Sequence, residues 1–135
     1  MKTRPLAVMV LAVWVLNSPL SFAQKSDSTE SAPDYEISKE IKLKGVIDEV
    51  RDRVCSISGS MGSHLMVKIG DKIYEVHVAP VRFVKMYGPV FQKGDRVEII
   101  GVMTKFQGVD AILPREIKHG DYGLVFRDKK GKPIW

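Results

Sequence analysis

The sequence contains few of the residues that build cross-linked or reactive sites. Cys55 is the only cysteine among 135 residues, so no intrachain disulfide can form, and there are only three histidines. No glycine-rich loop ends in Lys-Ser or Lys-Thr, no nucleophile elbow surrounds a serine or cysteine, and no two histidines or cysteines stand at metal-ligand spacing. We therefore expect no enzymatic activity, no cofactor and no metal site, with His64, His77 and His119 solvated on the surface.

Cys55 has two interpretations. Its neighbours Val54 and Ile57 favour a small side chain buried in an apolar core. The alternative is a reactive thiol or an intermolecular disulfide, because an exported protein meets an oxidising compartment.

The first 23 residues are typical of a secretory signal peptide. Lys2 and Arg4 precede an apolar run, which is shorter than the roughly 20 residues a spanning helix needs, and Ser21 and Ala23 provide the small residues of a cleavage site. We expect cleavage after Ala23, no stable membrane span after it, and a periplasmic or secreted protein. Retention of the segment as an anchor is the alternative.

The remaining chain is mildly basic and begins with a polar segment. Two of the 21 basic residues lie in the signal, which leaves 19 against 16 acidic residues and a formal net charge of +3. This charge suits an anionic partner without requiring one. Residues 24–36 lack apolar periodicity and are predicted to be a flexible leader, and residues 37–135 are enough for one domain.

The sequence of the domain predicts short strands separated by turns that contain glycine. A long first strand from Glu40 contains Gly45, where we expect a bulge, and a polar loop follows at 56–63. A hairpin with its turn at 70–72 comes next, in which Glu75 and His77 share one face of the second arm. Residues 81–87 have helical spacing, with Val81, Val84 and Tyr87 on one side. Further strands are expected at 96–103, 109–117 and 122–127, and the terminal Trp135 is expected to pack on the barrel.

This order of strand, hairpin, helix and hairpin predicts an all-β protein with one short helix. The matching architecture is a five- to six-stranded Greek-key barrel, the OB-fold. In that fold the ligand face is formed by the second and third strands and is bordered by the loops after the first and fourth strands.

Mapping that face onto the chain gives the candidate ligand-binding residues. They are Lys68, Lys72, Glu75, His77, Arg82, Lys105 and Phe106. Phe106 beside Lys105 is the kind of pair that stacks on bases in single-stranded nucleic-acid binders. The alternative is that Phe106 covers a barrel end. The unknown partner is thus a small ligand, a polyanion or a protein, and the oligomeric state stays open.

Two resemblances extend this interpretation. Residues 93–101, 111–118 and 124–135 resemble the exported bacterial OB-fold proteins of unassigned role, which implies the fold and no chemistry. The segment from His119 to Tyr122 is similar to the haem-binding segment of the periplasmic haem chaperone of cytochrome c maturation, but its spacing is one residue short. That likeness implies a haem-handling carrier using His119 and Tyr122 as an alternative to a non-enzymatic binding module with another ligand.

Overall fold

The computed structural model describes residues 32–88 and 90–135. Within these ranges the chain forms a 3-10 turn at Ile37–Lys39, six strands and one α-helix. In chain order the elements are β1 (Ile41–Cys55), β2 (Ser60–Ile69), β3 (Lys72–Pro80), α1 (Val81–Tyr87), β4 (Arg96–Phe106), β5 (Val109–His119) and β6 (Tyr122–Val125). The predicted signal peptide and most of the predicted leader lie outside the described residues.

The six strands form one sheet that closes on itself. Their order is β3-β2-β1-β4-β5-β6, all neighbours are antiparallel, and β3 also pairs with β5 in parallel at Glu75↔Ala111 and Val76↔Ile112. β1 is long enough to pair with β4 through its first part and with β2 through the rest. This closure, with α1 between β3 and β4, confirms the predicted OB-fold.

Alternate residues of the strands fill the barrel. Because side chains in a strand point to opposite faces in turn, one face of each strand supplies the core. The buried cluster comprises Ile47, Leu65, Val67, Val76, Val78, Ala79, Phe91, Val97, Ile99, Ile112, Ile117, Leu124 and Phe126.

The helix and the C-terminus cover one part of this core. Phe83 and Val84 of α1 pack against it, whereas Tyr87 is largely exposed, so the inner face of α1 differs from the predicted one. Phe83 turns inward because it meets Phe126 and Trp135, at ring-centroid distances of 6.3 and 6.4 Å. The expectation that Trp135 packs on the barrel is confirmed.

The bulge in β1 is not at Gly45, where the sequence pattern placed it. The register against β2 shifts between Ile47 and Glu49 instead. Gly45 instead allows the backbones of β1 and β2 to approach closely. A Cβ at this position would lie only 2.6 Å from the Lys68 carbonyl oxygen, so a larger residue does not fit.

Contacts to the barrel begin before Ile37. The Tyr35 hydroxyl donates a 2.7 Å hydrogen bond to Glu40, and its ring faces the Arg127 guanidinium at 4.9 Å. Arg115 also pairs with Glu40, which ties this segment to β5. Among the residues that the structure describes, no helix is long and apolar enough to span a membrane.

Candidate metal centre

Three side chains with metal-binding atoms meet on one side of the barrel. Cys55 ends β1, His64 lies in β2 and His77 lies in β3, and one ligand atom from each falls within 4.8 Å of the others. All three are buried, with 6%, 1% and 4% of their surfaces exposed. The expectation of solvated histidines is wrong for His64 and His77.

The β2–β3 hairpin places the two histidines together. Its turn has two residues, so Ile69 pairs with Lys72 and His64 pairs with His77, and their ring centroids are 4.5 Å apart. The register shifts just beyond this pair and leaves Val78 as the extra residue of a bulge. Bulges often redirect side chains beside functional sites, and this one lies next to both imidazoles.

Glu75 orients both imidazole rings from outside the cluster. Its Oε1 lies 2.8 Å from His64 Nδ1, and its Oε2 lies 3.8 Å from His77 Nε2. The opposite nitrogens, His64 Nε2 and His77 Nδ1, are therefore left for the cluster, and His77 Nδ1 lies 3.5 Å from Cys55 Sγ. A carboxylate behind a metal-binding histidine fixes its tautomer and raises its basicity.

The site favours anionic forms of its acidic groups. Burial raises the pKa of the Cys55 thiol, but His64, His77 and local backbone groups outweigh that effect and lower the pKa to about 5. Burial likewise raises the pKa of Glu75, whereas His77, Arg53 and His64 lower it, and the net direction is down. Arg53 forms an ion pair with Glu75. The lowered pKa of Cys55 favours the thiolate, the form that binds metals.

The interior of the cluster contains an unsatisfied polar atom beside a glycine. Within the described chain, His64 Nε2 is buried and has no hydrogen-bond partner. Gly62 borders the same point, since a Cβ there would lie 3.1 Å from His64 Nε2 and 3.0 Å from Cys55 Cβ. A buried nitrogen without a hydrogen-bond partner costs folding free energy, and a metal ion bound to His64 Nε2 would supply the missing partner.

The separation of the sulfur and nitrogen matches a shared metal ion. Bonds of about 2.3 Å to sulfur and about 2.05 Å to nitrogen, at angles between tetrahedral and trigonal, separate those two atoms by about 3.6–3.8 Å. The observed Cys55 Sγ to His77 Nδ1 distance is 3.5 Å. These two donors therefore stand near their metal-bound spacing, and all three ligand atoms lie within 4.8 Å of one another.

The cluster lies on the expected ligand face of the fold. Its two histidines lie on β2 and β3, its cysteine ends β1 where the β1–β2 loop begins, and the end of β4 borders it, which is the region predicted for the ligand face of an OB-fold. Phe106 closes it, because its ring packs edge-on against His77 at 5.2 Å. Of the candidate residues, His77 belongs to the cluster, and Glu75 and Phe106 contact it.

Phe106 does not have the exposed position that base stacking requires. It is buried and pairs with Val109 across the two-residue turn Gln107–Gly108, so the alternative in which it covers the barrel is correct. Lys105 forms an ion pair with Asp110 at 3.3 Å. In the predicted pair of Lys105 and Phe106, the aromatic ring is therefore not available to stack on a base.

The other basic candidates lie away from the cluster. Lys68 and Lys72 are exposed near the β2–β3 turn. Arg82 belongs to α1 and lines a groove with Phe83, Met86 and Trp135. These residues do not form one site with Glu75 and His77.

The haem alternative draws little support from its two residues. His119 ends β5, where its Nε2 lies 3.3 Å from Asp95 Oδ2, and Tyr122 begins β6 with 71% of its surface exposed. They are cross-strand partners beside a two-residue turn.

Solved structures with similar backbones include two single-stranded DNA-binding proteins. One is a replication protein A heterotrimer bound to single-stranded DNA, at 12% identity and a TM-score of 0.46, where the match covers 60% of this chain and 57% of that chain. The other is the mitochondrial single-stranded DNA-binding protein Rim1 of S. cerevisiae, at 12% identity and a TM-score of 0.42, with 64% and 96% covered. The chain thus spans little more than half the length of the first of these.

A search of curated proteins found no match. A family comparison did find one, and it covers nearly all of the barrel from the turn before β1 into β6. Because residues 39–124 match this family, the chain belongs to the MamS/MamX magnetosome protein family.

Proposed function

We propose that this protein is an exported, non-enzymatic binding protein that holds one transition-metal ion on Cys55, His64 and His77. The observation that carries the proposal is the meeting of one thiolate and two imidazole nitrogens within 4.8 Å, in a buried position. The family's name ties its members to the magnetosome, and we include that organelle as the setting in which the ion is bound.

The donor set selects the class of ion. Thiolate and imidazole are ligands for copper, zinc and related transition metals, whereas calcium and magnesium take oxygen ligands. Glu75 is the carboxylate found at the site among the described residues, and it faces the outer nitrogens of the histidines and so supports the two rings. The site is therefore suited to a thiophilic ion.

A cysteine nucleophile is the competing interpretation of the same residues. Cys55, His64 and Glu75 follow the order of a nucleophile, a base and an orienting carboxylate. Two features argue against it. The pocket beside Cys55 has no room for even a water molecule, and a second imidazole, that of His77, lies 3.5 Å from the same sulfur.

Polyanion binding is a weaker candidate that rests on Lys68 and Lys72. Phosphate contacts release counterions, so this function requires an affinity for oligonucleotide that falls steeply with salt. Binding that is absent, or equal at low and high salt, would remove this candidate and leave the metal proposal untouched.

The test is a titration of the metal-free, reduced full chain, without a polyhistidine tag, with Co(II) as a spectroscopic probe and then with Zn(II). We expect a 1:1 complex with a thiolate-to-cobalt charge-transfer band that Zn(II) displaces. Cys55→Ser should abolish the band, and His64→Asn and His77→Asn should each weaken binding by tenfold or more. His119→Asn is the matched control and should bind as the wild type does.

Two outcomes would refute the proposal. One is the lack of any 1:1 complex with either ion. The other is a complex that Cys55→Ser and His77→Asn retain unchanged while circular dichroism shows that both variants are folded.

A further inference from the structure

We infer that the ion is Cu(I), bound by Cys55, His64 and His77 alone in a three-coordinate site. This inference rests on the proposed function and adds to it the identity and charge of the ion. Three features of the cluster support it: the balance of charges, the number of donors and the space around them.

The charges around the cluster are balanced by a monovalent ion. Metal binding displaces the proton of the Cys55 thiol, so the bound thiolate and the Glu75 carboxylate contribute two negative charges, and Arg53, which forms an ion pair with Glu75, contributes one positive charge. One added positive charge makes the group neutral, whereas a divalent ion leaves a positive charge beside buried imidazoles. An uncompensated charge in a buried site is unfavourable, so the balance favours Cu(I) over Zn(II) and the other divalent ions.

The cluster also supplies three donors rather than four. Among the histidine, cysteine and acidic side chains that the structure describes, only Cys55, His64 and His77 bring ligand atoms together here. Zinc in proteins takes four ligands, and a three-residue zinc site completes its shell with water. The pocket around Cys55 has no space for a water molecule, because Ser58, Gly62 and Ala79 line it closely.

The chemical type of the donors also favours Cu(I), as the charge balance and the number of donors do. Thiolate is a ligand that selects Cu(I), and imidazole suits copper as well. Phe106 and Val78 add apolar surroundings, and these disfavour a site with net charge.

The inference is tested with two titrations of the reduced protein under anaerobic conditions. Cu(I) is presented on the chromophoric chelator bicinchoninate, and Zn(II) is presented with a competing zinc chelator. We expect one Cu(I) per chain, bound more tightly than Zn(II), and X-ray absorption that shows one sulfur and two nitrogen neighbours with no fourth ligand.

Arg53→Gln tests the charge balance without altering a ligand. Removing this positive charge makes the cluster suit a divalent ion, so the ratio of Zn(II) to Cu(I) affinity should rise about threefold to fivefold, a modest change because Arg53 is half exposed. Arg96→Gln, an exposed arginine at the start of β4, is the matched control and should leave the ratio unchanged.

The outcomes separate the inference from the proposed function. Zn(II) that binds more tightly than Cu(I), a four-coordinate copper spectrum, or a ratio in Arg53→Gln that is unchanged or lower would overturn the Cu(I) assignment while the metal site stands. Failure of both ions to bind the wild-type chain would overturn the metal site itself.

Discussion

Replacing Glu75 by glutamine should weaken metal binding while the barrel stays folded. The carboxylate lies 2.8 Å from His64 Nδ1 and 3.8 Å from His77 Nε2, so one group orients both rings. With a metal on the inner nitrogens, both outer nitrogens would carry protons: His64 Nδ1 would donate its hydrogen bond to Glu75 Oε1, and His77 Nε2 would face Glu75 Oε2 at the longer distance. A glutamine offers one oxygen to one ring and turns its NH2 group towards the other, and it also removes the negative charge.

The expected loss is about tenfold to a hundredfold in affinity, which corresponds to about 1.4–2.8 kcal/mol. It is measured by chelator competition with Cu(I) and with Zn(II), and thermal unfolding followed by circular dichroism tests the fold. Glu98→Gln is the control, because Glu98 lies in β4 and pairs with Lys42 and Lys44. An affinity in Glu75→Gln within twofold of the wild type would refute the role of the carboxylate, and an equal loss in Glu98→Gln would show that the effect is not local.

Three further substitutions test the site and the fold. Gly62→Ala places a methyl group 3.1 Å from His64 Nε2 and should reduce Cu(I) affinity by about tenfold or more in the same competition assay, since the ion and the methyl compete for space. Leu65→Ala removes a fully buried side chain and should lower the free energy of unfolding in urea by about 2–5 kcal/mol. Glu40→Gln weakens the pair with Arg115 and should cost about 1–2 kcal/mol at neutral pH in the same assay. Because Arg115 and Tyr35 hold the pKa of Glu40 below its usual range, the stabilisation exists above the unfolded pKa of about 4.3 and disappears as the pH falls through the lower folded value, so wild type and variant should converge in acid.

Each of these has a matched outcome that contradicts it. Gly123→Ala meets no atom closer than 3.3 Å and should leave Cu(I) affinity unchanged; a loss equal to that of Gly62→Ala would remove the steric explanation. A cost below 1 kcal/mol for Leu65→Ala would contradict its place in a tightly packed core. A difference between Glu40→Gln and wild type that persists unchanged at low pH would show that ionisation of Glu40 is not its source.

The fold was predictable because local signals agreed. Alternating apolar residues, glycine turns and a helical segment after Pro80 each specify one element, and their order allows few architectures. The position of the bulge in β1 was not predictable from the sequence. A glycine that permits close approach of two backbones cannot be distinguished, in the sequence, from a glycine that forms a bulge.

The cluster of Cys55, His64 and His77 was missed because it depends on the register between strands. The predicted turn at 70–72 has three residues and sets His64 opposite Val78, whereas the real turn at Gly70 and Asp71 sets it opposite His77. A shift of one residue moves a side chain to the other face of the strand. Glu75 and His77 were correctly placed on one face, and a two-residue turn would have revealed their partner.

Cys55 was harder to connect with the histidines. Residues 60–63 look like loop in the sequence because they are small and polar, yet they pair with the end of β1 and extend β2. That extension brings Cys55 beside the hairpin. Ligand spacing along the chain could not show a site whose members are 9 and 13 residues apart and are joined only by the sheet.

The position of the cluster on three different strands has a consequence for the lifetime of the protein. An ion bound by Cys55, His64 and His77 links the end of β1 to both arms of the next hairpin, as a disulfide would in a chain with more than one cysteine. A ligand that binds only the folded state stabilises it by about 2.7 kcal/mol at a concentration a hundred times its dissociation constant. Resistance of this barrel to proteolysis should therefore rise with the local supply of the ion, so that the abundance of the protein reports how much metal its compartment contains.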